Sequence, residues 1–279
     1  MMSIRLKRAG RQYSLRLSPP AARFPTKRAV FGARTITIEQ GVQVSTEFLI
    51  AGIVWYVVFL LSTTCHEAAH AWAAKLGGDL TAFHGGQVSL DPIPHIMREP
   101  FGMVIFPILT YITGGWMMGW ASAPYDPYWS ERYPKRAAWM SLAGPGANFS
   151  LAILAGILIH VGMWTGYFRY PESAGFMHVV EPASAGLAAG AATFLSLMFS
   201  LNLLLGTFNL IPVPPLDGYG VLGLLVSEDG ARRIQNVGRS MGAFSIIGML
   251  IAWQVFGSMF QPVFSFALRA LYPGQGYGI

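Results

Sequence analysis

The sequence predicts an all-α polytopic membrane protein: a bundle of about four to six transmembrane helices with a re-entrant segment and a short β-hairpin element. Three observations carry this reading. Hydrophobic residues make up 53% of the 279-residue chain and charged residues only 11%, where a soluble domain carries roughly 25% charged residues. Several apolar runs reach the ~20 residues that a helix needs to cross a bilayer. One further apolar run, Phe101 to Ala121, is interrupted by Pro107 and by Gly114-Gly115, which break a helix before it completes a crossing.

Residues 1–44 read as a basic, partly disordered N-terminal tail. Nine of the nineteen Lys and Arg lie before residue 35, alongside Pro19, Pro20 and Pro25. A basic tail beside a bilayer is drawn to anionic headgroups. No recognition motif accompanies the charge, so nucleic acid is not an expected partner. The tail also lacks the apolar core of a signal peptide. "RTITIEQGVQVS", Arg34 to Ser45, alternates around a central glycine and predicts a short hairpin.

A membrane-embedded core is expected over 45–226. Its first helix should begin at Ser45 or Thr46 as N-cap, with Glu47 in its first turn, and stop at Gly77-Gly78. "HGGQVSLDPIPHI", His84 to Ile96, reads as strand and turn. "YDPYWSERYPKR" reads as a polar loop. Spans are expected at 137–164 and 187–211, joined by a loop, the second ending in "PVPPLDGYG". The remainder, 227–279, predicts a surface helix at 229–239, a span at 241–260 and a short helix after Pro262.

"LSTTCHEAAHAW", Leu61 to Trp72, places His, Glu and His at the end of the first span. In a helix, positions i and i+4 share one face, so His66 and His70 can point at one ion. Imidazole is a zinc ligand, and three protein ligands plus water make a catalytic zinc site. Glu67, beside the first ligand, is placed to take a proton from the attacking water. Ionisable groups that continue a membrane span are costly, which favours function over a pair of satisfied helix-face histidines. Cys65 is the lone cysteine, so no intrachain disulfide forms. It adjoins His66, where a thiolate can ligate metal, but a small apolar residue in a helix is the favoured reading.

The third ligand must come from elsewhere, and most other acidic residues lie in loops beside other charges. Asp217 stands apart, after a long apolar span and behind Pro212, Pro214 and Pro215. Those prolines break the helix, and broken backbone at membrane depth belongs where protein buries it or a wet cavity meets it. An ordinary Asp-Gly turn would look the same locally; beside HEAAH, the ligand reading is preferred. In "SLAGPGANFSLA", Gly144, Pro145 and Gly146 loosen the start of a span and allow close backbone approach. Asn148 there either bonds a polarised or extended substrate carbonyl or is satisfied within helix packing. His95 is read as a structural turn histidine, with a place near the substrate as the alternative.

Together, "HEAAH", "AGPGANF" and "NLIPVPPLDG" resemble the site-2 protease family of intramembrane zinc metalloproteases. "GGQVSLDPIPHI" and "GWASAPYDP" resemble connecting segments of its small prokaryotic members, which lack added peptide-binding or nucleotide-binding modules. The resemblance covers roughly residues 48–226. It implies one zinc ion per chain held by His66, His70 and Asp217, with Glu67 as general base and supporting roles for Asn148 and Asn209. It implies cleavage of a peptide bond within or beside a transmembrane segment. The implied partners are single-pass membrane proteins such as membrane-tethered regulators, together with the lipid bilayer, in a multi-pass protein of the cell membrane. Two rival readings use the same ligands: a membrane metal transporter, and an inactive relative that holds membrane segments without cutting them.

A shared metal also constrains topology. His66 and Asp217 both lie at the exit ends of their spans, so an even number of crossings must separate those ends. The spans at 137–164 and 187–211 supply two, which requires 101–121 to be re-entrant. Arg132, Lys135, Arg136, Arg232, Arg233 and Arg239 flank the site and favour its facing the cytoplasm, against the pull of the basic tail.

Overall fold

The computed structural model describes two strands near the N-terminus and residues 45–277. The chain divides into two units, Met1–Gln43 and Val44–Ile279. In the first, β1 (Ser3–Arg8) pairs antiparallel with β2 (Arg11–Arg16), Arg8 facing Arg11. The sequence reading placed these residues in the tail and expected no strand in them. The hairpin it expected at Arg34–Ser45 falls on residues outside those described, up to Ser45, and so does most of the expected disorder.

In the second unit, α1 (Thr46–Leu76) starts at Ser45, whose side chain accepts a hydrogen bond from the Phe48 N–H. It stops at Gly77, the C-cap. Its first half presents Leu49, Ile50, Ile53 and Val57 outward and buries Trp55, Val58 and Phe59. From Ser62 onward the buried face turns polar, with Ser62, Thr63, Thr64, His66, Glu67 and His70 all enclosed.

A short helix, α2 (Thr81–His84), follows. The strand expected within 84–96 is absent: bends lead into α3 (Pro92–Arg98). Asp91 accepts from the Ile93 N–H and Pro92 occupies the first turn, a helix start that needs no strand partner. The same device overturns the expected polar loop at 125–136. There Asp126 caps α5 (Pro127–Arg132), accepting from the Tyr128 N–H.

Between these lies the interrupted apolar segment. A π-helical turn (Phe101–Ile105) runs into α4 (Phe106–Gly114). Together they span 14 residues, about 21 Å, short of the ~30 Å hydrocarbon core. Gly115 ends the helix in the left-handed region at φ 74°. The chain then doubles back, and the Trp120 N–H donates to the Gly102 carbonyl at 3.1 Å. A Cβ on Gly102 would lie 2.4 Å from the Trp120 oxygen, and one on Gly119 2.3 Å from the Gly102 oxygen. Only glycine at both positions lets the return strand lie this close.

The helix α6 (Pro134–Trp164) runs unbroken through Pro145. A two-residue ladder, β3 (Phe168–Arg169) with β4 (Glu181–Pro182), punctuates the loop to α7 (Leu187–Asn209). After the prolines come α8 (Asp217–Val221) and a 3-10 turn at Leu222–Leu224. The amphipathic α9 (Glu228–Met241) precedes α10 (Phe244–Leu271). The sequence reading ended the last span before Pro262, but α10 continues through it. The reason is packing: Phe256, Phe260 and Phe264 stack along one buried stripe across the proline, which holds the helix despite one lost backbone bond.

Among the described residues, α1, α6, α7 and α10 are long and apolar enough to cross a membrane. The helices α1, α6 and α7 pack against one another around the main hydrophobic core. With α6 and α7 as the two crossings between them, the end of α1 and the start of α8 fall on the same side.

Candidate metal centre

Three helices and one broken segment build the site. α1 carries His66, Glu67 and His70 on its buried polar face. α8 begins at Asp217, directly after the proline break. α6 passes between them with Gly144 at the point of closest approach.

The structure brings His66, His70 and Asp217 together. His66 Nε2 lies 3.1 Å from Asp217 Oδ2, and His70 Nε2 lies 3.3 Å from Asp217 Oδ1. The two Nε2 atoms are 3.0 Å apart. Each ring is turned by a partner on its other nitrogen. His70 Nδ1 is 2.7 Å from the Met140 carbonyl oxygen. His66 Nδ1 is 2.6 Å from Asn148 Oδ1. Both oxygens accept, so both Nδ1 atoms donate and both Nε2 lone pairs face inward. Two lone pairs at 3.0 Å repel unless a cation lies between them.

The donor set fits zinc. Two imidazoles and a carboxylate are zinc ligands, and tetrahedral ligands at ~2.0–2.1 Å from the ion stand about 3.3 Å apart. The two Nε2 atoms stand 3.0 Å apart and each faces a different oxygen of the Asp217 carboxylate, Oδ2 at 3.1 Å from His66 and Oδ1 at 3.3 Å from His70, and one ligand atom from each residue lies within 4.8 Å of the others. Gly144 supplies the room. A Cβ there would come 2.3 Å from His70 Nε2 and 2.6 Å from His66 Nε2.

Glu67 is buried, and with the three ligands it lines a cavity of about 560 Å³. Asn209, the last residue of α7, lines the same cavity. Asn148 is fully enclosed with its carboxamide turned to His66 rather than into the cavity. Pro145 is buried within α6 and has no N–H to offer the Ser141 carbonyl; Ser141 lines the cavity. Cys65 faces away, into a separate apolar groove of about 510 Å³ bordered by Ala68, Trp72, Val88, Leu90 and Ala147. His95 is buried, its Nε2 3.1 Å from the Ser89 carbonyl oxygen.

Sequence reasoning missed the groups behind the ligands. Asn202 and Ser62 are both fully buried and bonded to each other, with Asn202 also bonded to Asn148. An amide in the middle of an apolar span was a readable signal for Asn202. The Met140 carbonyl carries no sequence signal at all. The cavity wall contributed by α9, including Gln235 and Arg239, was not anticipated either.

Comparison with known proteins relates the sequence to one family. The sequence profile of Peptidase family M50 matches residues 54–251. The chain is 29% identical over 227 residues to Bacillus subtilis YwhC, provisionally named a zinc metalloprotease, covering 74% of this chain and 92% of that one. Two mycobacterial proteins, both provisionally named zinc metalloprotease Rip2, are each 30% identical. The Mycolicibacterium smegmatis match covers 59% of this chain and 54% of that protein; the Mycobacterium tuberculosis match covers 78% and 74%. No solved structure matches.

Proposed function

Because the chain belongs to peptidase family M50, the site-2 protease family of zinc metalloproteases, we propose that this multi-pass membrane protein hydrolyses a peptide bond within or next to a transmembrane segment of a membrane-protein substrate. The observation that carries the reading is the position of the donors. His66, His70 and Asp217 converge where two apolar spans end, with Glu67 in the same cavity. A hydrolytic centre at that depth meets its peptide at the membrane.

His66, His70 and Asp217 would hold the zinc. Bound there, it supplies a Lewis acid that polarises the scissile carbonyl and makes water more acidic. Glu67 takes the water's proton on a carboxylate oxygen and delivers it to the departing amine nitrogen. Asn148 and the Met140 carbonyl keep both imidazoles aimed while charge shifts.

The substrate must present an extended backbone, because a helical amide is shielded by its own hydrogen bonds. The segment after α2 suits this. Among the described residues, the backbone groups of Val88 and Leu90 enter no hydrogen bond within the chain. They border the apolar groove beside α1 and α6. Unpaired backbone beside apolar surface favours an added strand over a packed helix.

The test compares membrane-protein termini in cells that express the wild type or Glu67→Gln. The reading expects new termini inside or next to transmembrane segments with the wild type alone. New termini that persist with Glu67→Gln, or a zinc flux in vesicles that survives it, would overturn the reading.

A further inference from the structure

His70 has its tautomer set directly, since the Met140 carbonyl can only accept. His66 depends on a side chain that could face it either way. The two ends of the Asn148 carboxamide are nearly the same size. Its oxygen leaves His66 with an inward Nε2 lone pair; its NH₂ would place a proton on Nε2 and block a ligand. The choice is made elsewhere.

Asn202 lies one helix further back, on α7. Its Nδ2 is 2.9 Å from the Met198 carbonyl oxygen and 2.9 Å from Ser62 Oγ. The carbonyl can only accept. The Ser62 hydroxyl spends its own proton on the Val58 carbonyl at 2.7 Å and so also accepts. The NH₂ of Asn202 is thereby fixed toward α1 and its own helix, and its Oδ1 must face Asn148. That oxygen lies 2.8 Å from Asn148 Nδ2, which also reaches the Ser62 carbonyl at 3.4 Å. Asn148 Oδ1 is left to face His66. Ser62, Asn148 and Asn202 have no exposed surface, so no water can substitute for a missing partner.

We propose that Asn202 is a positioning residue of the metal centre: through Asn148 it selects the tautomer of His66 that ligates the ion. The direction of the chain runs from two backbone carbonyls, through Asn202 and Asn148, to one ring nitrogen. It crosses α7, α6 and α1, so it also ties the ligand geometry to the packing of the three central spans. The inference rests on the three-ligand centre and is independent of the substrate assigned to it.

The experiment measures zinc affinity by chelator competition in purified, detergent-solubilised protein, with helix content and monodispersity followed alongside. Asn202→Leu removes the acceptor and is expected to weaken zinc binding about 10–100-fold, the usual effect of losing a partner behind a ligand. Asn202→Asp, protonated in this buried setting, keeps an acceptor oxygen for Asn148 and is expected to bind zinc nearly as the wild type does. In an Asn148→Leu background, Asn202→Leu is expected to add no further loss, because its effect passes through Asn148. Wild-type affinity in folded Asn202→Leu overturns the proposal. So does a loss in Asn202→Asp as large as the one expected for leucine, whether or not the leucine variant folds. Additive losses in the double variant overturn it too, since they mean a general packing role. Failure of the centre itself looks different: Asp217→Asn would then leave zinc binding unchanged.

Discussion

Gly144 lies directly against His70: a single added methyl group would sit 2.3 Å from the ring nitrogen that faces the metal position. The space between α6 and the two imidazoles is therefore the space the ion needs. Gly144→Ala is expected to push His66 and His70 off their shared focus and remove most bound zinc. The helix itself should tolerate alanine, so the stability loss is expected to stay within the 1–3 kcal/mol typical of overpacking. Elemental analysis beside a thermal melt checks both parts. Full zinc content in the variant would show that the ligands are held further from α6 than described.

Glu67 shares the cavity with the ligands but is not one of them. Glu67→Gln keeps size and removes the base. Zinc content should match the wild type while cleavage of a membrane-embedded substrate falls about 10²–10⁴-fold, the range for losing a general acid–base group. Loss of zinc along with activity would instead make Glu67 part of the ligand set.

The returning segment after α4 is tied to the Gly102 carbonyl by the Trp120 N–H, an approach that glycine at 102 and 119 permits, and residues 121–123 continue from it into the cavity wall. Gly102→Val should force the Trp120 backbone away. The expected result is an intact zinc site with impaired cleavage, because the ligands lie on other elements. Equal cleavage by variant and wild type would separate the re-entrant segment from substrate binding.

Asp79 joins two loops. Its carboxylate accepts from the Thr81 N–H and hydroxyl and from the Asp126 N–H. Burial would raise its pKa, but these bonds, the Thr81 hydroxyl first among them, win and lower it. A carboxyl with a lowered folded-state pKa adds stability above its unfolded value, about 3.9. That stability is lost as pH falls through the folded value. Asp79→Asn should therefore cost about 1–3 kcal/mol near neutral pH, and the gap to wild type should narrow in acid. A gap that stays constant with pH would mean that the charge plays no part.

The parts of the site that were legible in the sequence follow a helix or a break. His66 and His70 are one turn apart, so periodicity sets them on one face; Asp217 after three prolines reads locally as well as an Asp-Gly turn, and only HEAAH tips it to a ligand. What supports them was not legible. The Met140 carbonyl is backbone, and any residue supplies one. Asn202 and Ser62 are 140 residues apart, and only the packing of α7 on α1 makes them partners. The fold shows the same division. The start at Ser45 follows a local rule, whereas α6 opens at Pro134, inside the expected loop and ahead of the expected start at 137, and Pro262 broke the predicted span only because the aromatic stripe beyond it was left out. The helices after Asp91 and Asp126 carried an aspartate-proline start signal that the polar composition around them obscured.

The central claim is that two distant stretches, HEAAH and the aspartate after the proline break, make one metal centre. Zinc per chain in purified wild type and in Asp217→Asn tests it most directly, and it needs no substrate. The expected result is about one zinc in the wild type and far less in a variant that remains folded. Zinc binding that is indifferent to Asp217, or its absence from well-folded wild type, would contradict the account.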